Sequence, residues 1–138
     1  RVSKLPRVGG GIDPSIEAIV ALKPDLVLMA TSAQVGERLR ALGIKVMALE
    51  PKNHADVKLM LEKLGRVLGV SDAARVWQGI EAGMRAAAQS LPAHVKTTRV
   101  YFEVNRAPYA AGEASFIGET LRGLGAQNIV PASMGPFP

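Results

Sequence analysis

The feature that most constrains the fold is the apolar run from Leu26 to Ala30, which contains no polar residue. An uninterrupted apolar run, unlike an alternating one, is typical of a strand that is buried on both faces in a parallel sheet. Pro24 ends the segment before it, because proline cannot continue a helical hydrogen-bond ladder. The preceding residues predict a helix over 14–22, with Asp13 as its N-cap and Pro14 at its first position.

The same order of elements is repeated directly afterwards. A second helix is predicted over 34–42 and ends at Gly43, a typical C-terminal cap. A second strand is predicted over 44–49. Residues 14–49 therefore read as helix, strand, helix, strand, which indicates an α/β unit with parallel strands and right-handed crossovers.

Two long helices then follow without a strand between them. Asn53 caps the first of these helices and Gly69 ends it, while Ser71 is expected to cap the second, which continues to Leu91. Apolar residues recur at spacings of three and four in both helices, and Trp77 lies on the apolar face of the second. We interpret this pair as a helical connector.

A second α/β unit is predicted after the connector. It consists of a strand over 98–104, an irregular loop over 105–115, a helix over 116–124 and the beginning of a strand at 128–130. The fold class is therefore predicted as two parallel-sheet α/β lobes joined by a long helical connector, with both lobes incomplete. The expected divisions are 1–52 for the partial first lobe, 53–92 for the connecting helices and 93–138 for the partial second lobe.

Composition excludes several classes of function. The 138 residues include no cysteine, so disulfides and thiolate chemistry are absent. The net charge of +5 comes from basic residues scattered between Arg1 and Arg122, without the clustered basic face that nucleic-acid binding requires. No apolar run reaches the roughly 18 residues that a membrane-spanning helix needs. We therefore expect no nucleic-acid partner.

Residues that could carry catalysis or bind a metal occur without the partners they need. Gly9-Gly10-Gly11 is followed by neither the Lys-Ser/Thr of a phosphate loop nor the third glycine of a dinucleotide fingerprint. His54 and His94 lie far apart and are expected at the surface, and Ser115 has no evident base. We expect no enzyme, metal site or cofactor. A small α/β enzyme for nucleotides or sugar phosphates and a non-catalytic interaction domain stay open as alternatives.

One segment resembles a known family. The stretch from Glu17 to Val27 follows the pattern E-x-I-x-x-L-x-P-D-L-V and comes after Val8-Gly9-Gly10. This pattern is similar to that of the helical-backbone periplasmic binding proteins, which carry vitamin B12, ferric siderophores and haem for ABC importers. The later segments 39–46, 53–91 and 99–129 resemble the corresponding parts of that family, so the resemblance covers nearly the whole chain.

The resemblance implies a function and a set of site residues. It implies a periplasmic protein that binds cobalamin or a ferric siderophore between two lobes and delivers it to an inner-membrane ABC permease. Glu17 would contact arginines of that permease. Gly10 stands where haem carriers have a tyrosine, which disfavours tyrosine-ligated haem. The ligand-binding residues that the family layout implies are Gly10, Gly11, Thr31, Ser32, Asn105, Arg106 and Tyr109.

The resemblance also implies that parts of the family fold lie outside this chain. The family's first strand and helix would precede Arg1, and most of its second lobe would follow Pro138. We therefore expect a shortened form of a longer protein. Incomplete sheets leave open strand edges that invite pairing between chains, so a homodimer formed by edge pairing or by exchange of elements is expected.

Overall fold

A computed structural model describes residues 2–138, and the chain divides into two compact units between Glu50 and Pro51. The first unit contains helices α1 (Ile16–Ala21) and α2 (Gly36–Ala41) and strands β1 (Val27–Met29) and β2 (Val46–Ala48). The two strands are parallel, with Val27 opposite Val46 and Met29 opposite Ala48. The predicted order of helix, strand, helix and strand is therefore confirmed, with slightly shorter elements.

The core of the first unit lies between its helices and its sheet. Ile16 and Ile19 of α1 and Leu39 of α2 are buried, and Leu39 has no exposed surface. Residues from both strands, including Val27 and Val46, pack against this cluster. The apolar residues of each helix thus lie on the side that covers the sheet.

The second unit begins with two long helices, α3 (His54–Leu68) and α4 (Ala73–Ser90). Asn53 accepts a hydrogen bond from the N–H of Asp56, and Gly69 closes α3 in the left-handed region with a φ of 66°. Both predicted caps are confirmed. Trp77 is buried, as its position on the apolar face predicts.

The rest of the second unit consists of short strands around one helix. Strands β3 (Arg99–Val100), β4 (Glu103–Asn105), β5 (Tyr109–Ala110) and β6 (Gln127–Asn128) accompany helix α5 (Phe116–Gly123). The strands β3 and β6 are parallel, whereas β4 and β5 form an antiparallel hairpin. Parallel pairing thus occurs in both units. Within residues 2–138, no helix combines the length and the apolar character that crossing a membrane requires.

Three predictions about helix caps and loops are wrong. The N-cap of α1 is Ser15, whose hydroxyl accepts a hydrogen bond from the N–H of Ala18, because Pro14 is held outside the helix in a bridge to Gly9. Asp72 rather than Ser71 precedes α4, and its side chain makes no capping bond. The segment predicted as an irregular loop after residue 104 contains β5, because its backbone pairs with β4.

Candidate functional site

The loop from Gly9 to Pro14 in the first unit is closed at its base. Gly9 and Pro14 form an isolated antiparallel bridge, and the N–H of Ser15 donates to the carbonyl of Val8 over 2.6 Å. Gly9 has a φ of 110°, a conformation that favours glycine. The loop therefore holds Gly10 and Gly11 in fixed positions at the surface.

Gly10 and Gly11 line a cavity of the first unit. Its volume is about 580 Å³, and it extends along β1 to Ala30 and Ala33, beyond the strand's carboxyl end. Every side chain that lines it is apolar, and the remaining lining residues are glycines. The lining residues are Val8, Gly9, Gly10, Gly11, Pro14, Ile19, Leu22, Pro24, Leu26, Val27, Leu28, Met29, Ala30, Ala33, Val35 and Leu39.

Thr31 and Ser32 follow β1 in an exposed turn. Thr31 lines a second cavity of about 240 Å³ together with Gln34 and Arg40. Carboxyl ends of parallel strands are a common place for ligand sites in α/β proteins. Of the predicted residues in this unit, the structure brings Gly10 and Gly11 to one cavity and Thr31 to the neighbouring one.

In the second unit, Asn105, Arg106 and Tyr109 lie together at the end of the β4–β5 hairpin. The side-chain oxygen of Asn105 accepts a hydrogen bond from the N–H of Ala107 over 2.9 Å, which stabilises the turn. Asn105 is opposite Tyr109 in the hairpin, and all three predicted side chains are exposed. The hairpin therefore presents a cation and an aromatic ring at one place.

The carboxyl-terminal residues extend this hairpin by a third antiparallel segment. The N–H of Ala110 donates to the carbonyl of Pro138, and the N–H of Gly112 donates to that of Pro136. This register places Phe137 opposite Ala111, and the N–H of Ala111 donates to the carbonyl of Phe102 on the other side. Directly opposed residues in antiparallel strands point to the same face.

Phe102, Tyr109 and Phe137 consequently share one face, because Tyr109 is two residues from Ala111. Their exposed fractions are 41%, 50% and 50%, respectively. We call these three residues the aromatic face. Phe102 and Phe137 were not among the predicted site residues. The signal that could have found Phe137 is its position between two prolines in an otherwise loop-like tail.

Glu17, the predicted docking residue, is exposed in the first turn of α1. The hydroxyl of Ser15 donates to its carboxylate over 3.3 Å. An acidic side chain at this position also complements the positive end of the helix dipole. Glu17 is thus accessible to a partner and has a local structural role as well.

His54 is partly buried, with 18% of its side chain exposed, although it was expected at the surface. Its backbone N–H donates to Glu119 over 2.8 Å, its Nε2 lies 2.9 Å from the hydroxyl of Thr120, and its ring packs edge-on against Phe116 at 4.8 Å. The prediction was wrong because α5, distant in sequence, covers the first turn of α3.

Ser115 is buried, and its hydroxyl donates to the carbonyl of Gly112 and accepts from the N–H of Gly118. These bonds commit the hydroxyl to capping α5. Among residues 2–138, no three His, Cys, Asp or Glu side chains are close enough together to hold a metal ion.

The sequence also matches a family model. The periplasmic binding protein family matches residues 1–135, which is nearly the whole chain. The chain belongs to this family. Family membership indicates a location outside the cytoplasm.

Two relatives that sequence comparison detects are named as binding proteins. The vitamin B12-binding protein of Vibrio vulnificus (strain YJ016) is 28% identical over 145 residues, which cover 98% of this chain and 51% of the relative. An uncharacterized ABC transporter substrate-binding lipoprotein of Bacillus subtilis (strain 168), YvrC, is 26% identical over 148 residues and covers 97% and 46%, respectively. The chain thus spans about half the length of the curated relatives it matches.

A solved structure has a similar fold. The periplasmic haem-binding protein of Pseudomonas aeruginosa superposes with a TM-score of 0.71 at 26% identity, over 94% of this chain and 50% of that one. The predicted α/β fold class with parallel sheets is therefore confirmed.

Proposed function

We propose that this chain is part of a periplasmic solute-binding protein that binds a metal-chelate nutrient, cobalamin or a ferric siderophore, and delivers it to an ABC importer. In this proposal the chain has no catalytic activity. The observation that carries it is the exposed aromatic face beside Arg106. Flat macrocyclic chelates stack on aromatic rings, and a guanidinium binds phosphate or carboxylate groups. The B12-binding relative supports this ligand class.

The experiment that tests the proposal measures the Kd of cyanocobalamin and of a ferric siderophore by fluorescence quenching. Tyr109→Ala and Phe137→Ala each remove a ring from the aromatic face and are expected to raise Kd about five- to thirtyfold, corresponding to roughly 1–2 kcal/mol. Tyr101→Ala is the matched control. Tyr101 is 50% exposed, like Tyr109, and is not one of the three residues of the aromatic face.

Binding that is equally insensitive to all three substitutions would contradict this assignment of the site. An equal loss of ligand affinity in Tyr101→Ala would point to general destabilisation instead. The unfolding midpoint of each variant is therefore measured alongside its Kd. The wild-type protein's failure to bind either ligand would contradict the proposed function of the chain itself.

We also propose that Glu17 contacts the ABC permease. Its exposed carboxylate projects from a short helix and is available to a cationic side chain. Glu17→Lys is expected to leave ligand affinity unchanged and to reduce stimulation of the reconstituted importer's ATPase activity. Glu37→Lys is the control, because Glu37 is also an exposed acid near the start of a helix in the same unit. Unaltered stimulation by Glu17→Lys would argue against docking.

A homodimer formed through the open edge of β1 is a further part of the proposal. The hydrogen bonds from Val27 to Lys45 and from Leu49 to Met29 use one edge of β1, so the backbone groups of Leu28 point to the other edge. The apolar cavity lies along this strand. Ligand pockets ordinarily include a few polar side chains. A cavity without any is better suited to packing against another polypeptide segment.

Native mass spectrometry tests this association. A dimer is expected for the wild-type chain, and Leu28→Lys is expected to convert it to a monomer by placing a charge in the cavity. Leu42→Lys changes an exposed leucine outside the cavity and is expected to leave the dimer intact. A monomeric wild-type chain at micromolar concentration would contradict the proposal.

A further inference from the structure

The second unit contains a polar cavity that shares no lining residue with the aromatic face. Its volume is about 370 Å³, which lies within the usual range for small-molecule sites. Two of the side chains that line it, Glu113 and Arg122, carry opposite charges, and Gln127 and Asn128 add two amides. This lining therefore contains the charged and polar groups that the apolar cavity beside β1 lacks.

The packing of α5 sets the positions of the two charged residues. A Cβ atom added to Gly118 would come within 2.7 Å of the Cα of Glu113, so the backbone of Glu113 lies directly against this turn of α5. Arg122 comes four residues after Gly118 and therefore lies on the same helix face, about 6 Å further along the axis. The carboxylate and the guanidinium thus line the cavity from backbone positions that are about one helical turn apart.

Neither charge is neutralised by an ion pair. The ion pairs formed among residues 2–138 include neither Glu113 nor Arg122, and both residues are exposed. Oε2 of Glu113 accepts a hydrogen bond from the N–H of Ala132 over 3.1 Å, which positions the carboxylate. A carboxylate has about four acceptor sites, so this single bond leaves it able to accept from a ligand.

One wall of the cavity is held in place by hydrogen bonds. Nδ2 of Asn128 donates to the carbonyl of Ala111 over 2.7 Å, and Oδ1 of Asn128 accepts from the N–H of Val130 over 3.1 Å. These bonds fix the amide at both ends. A site whose side chains are already ordered loses less conformational entropy when a ligand binds.

We propose that this cavity binds a short zwitterionic peptide of about two residues, whose ammonium group donates to Glu113 and whose carboxylate accepts from Arg122. Two extended residues span about 7 Å, which matches the separation of one helical turn better than a single amino acid does. Hydrogen bonds between oppositely charged groups are the strong ones. A ligand with one charge would be attracted by one of these side chains and repelled by the other.

An NMR titration of the ¹⁵N-labelled chain tests this site, with the amide signals of Gln127 and Asn128 as reporters. Glycylglycine is the zwitterionic probe, and N-acetylglycylglycine and glycylglycine amide each lack one of its two charges. Glycylglycine is expected to bind more tightly than either analogue. Glycine is also expected to bind more weakly, because it is too short to reach both charged side chains.

Glu113→Gln removes the negative charge but keeps an oxygen that can accept from the N–H of Ala132, and Arg122→Gln removes the positive charge. Each is expected to raise the Kd of glycylglycine about three- to fivefold, the size expected for one exposed charge interaction. Glu113→Gln is not expected to weaken the binding of N-acetylglycylglycine, which has no ammonium group. Arg122→Gln is not expected to weaken that of glycylglycine amide, which has no carboxylate.

Glu81→Gln and Arg85→Gln are the matched controls, because they remove the same charges from exposed positions of α4 that do not line the cavity. Unmoved reporter signals at millimolar glycylglycine would overturn the inference. So would glycine that binds as tightly as glycylglycine, or controls that weaken binding as much as the two cavity variants do. None of these results would bear on the proposed binding of a chelate at the aromatic face.

Discussion

Among the glycines of the second unit, Gly118 is the one at which an added Cβ atom would clash most severely. It lies in α5, and a Cβ atom there would collide with the carbonyl oxygen of Gly112 and come within 2.7 Å of the Cα of Glu113. Both obstacles are backbone atoms of the segment that Ser115 joins to α5, so a rotamer change cannot relieve the contact. Glycine is therefore required by a close approach of two backbones.

Gly118→Ala is expected to destabilise the chain by about 1–3 kcal/mol, the usual cost of overpacking. Gly123→Ala in the same helix is the control, since a Cβ there meets nothing within 4 Å. It is expected to be neutral or to stabilise by up to about 1 kcal/mol. Urea unfolding followed by circular dichroism measures both. Similar midpoints for the two variants would contradict the close approach.

At this scale the sequence predicts features that depend on neighbouring residues. Asn53 and Gly69 were predicted because capping involves groups within one helical turn. Asp13 was wrongly chosen as a cap because the choice depends on the bond between Ser15 and Val8, which closes a loop across six residues. His54 was misplaced because its partners on α5 are more than sixty residues away.

Helix α4 carries two glycines that no packing explains. A Cβ atom at Gly79 or at Gly83 would meet nothing within 4 Å, and neither residue has a positive φ. Glycine inside a helix costs about 0.5–1 kcal/mol relative to alanine. The described residues of the chain thus make no contact that offsets the stability cost of glycine at these two positions.

Gly79→Ala and Gly83→Ala are each expected to raise the free energy of unfolding by about 0.5–1 kcal/mol, because alanine loses less backbone entropy on folding. The thermal midpoint of each variant is also expected to rise. The double variant is expected to combine the two gains in stability. A loss of stability in either variant would show that another surface packs closely against α4 in solution.

The elements differ in how far their sequences predict them. The helices α3 and α4 are predicted by the spacing of their apolar residues, which lie along one partly buried face of each helix. The hairpin strand β5 has only two residues and comes after Pro108, so it is too short for a periodic pattern to predict it. Phe137 lies on the aromatic face because the tail forms hydrogen bonds with residues 110–112. No local sequence pattern predicts that pairing.

At the scale of the whole molecule, the two units differ in whether their strands are hydrogen-bonded on both edges. In the second unit, the segment around Ala111 is bonded to β4 on one side and to the tail on the other, and Ala111 has no exposed surface. In the first unit, β1 is bonded only to β2 among the described residues, and Leu28 is 46% exposed. The apolar run that predicted a doubly buried strand is thus only partly covered.

This difference predicts how backbone amides exchange with solvent. Amides bonded on an open two-stranded edge exchange through local opening, whereas those inside a closed core need larger unfolding. At concentrations below the proposed dimer's dissociation constant, the Leu28 amide is expected to exchange about as fast as an unstructured one, and the Ala111 amide far more slowly.

Raising the protein concentration is expected to slow exchange at Leu28 and to leave Ala111 unchanged, because a second chain would bind only the β1 edge. Hydrogen–deuterium exchange followed by NMR or mass spectrometry over a hundredfold range of concentration measures both amides. The Val27 amide, which already donates to Lys45, is the internal control for the stability of the strand itself. Equal protection of Leu28 and Val27 at every concentration would mean that the edge is covered within a single chain.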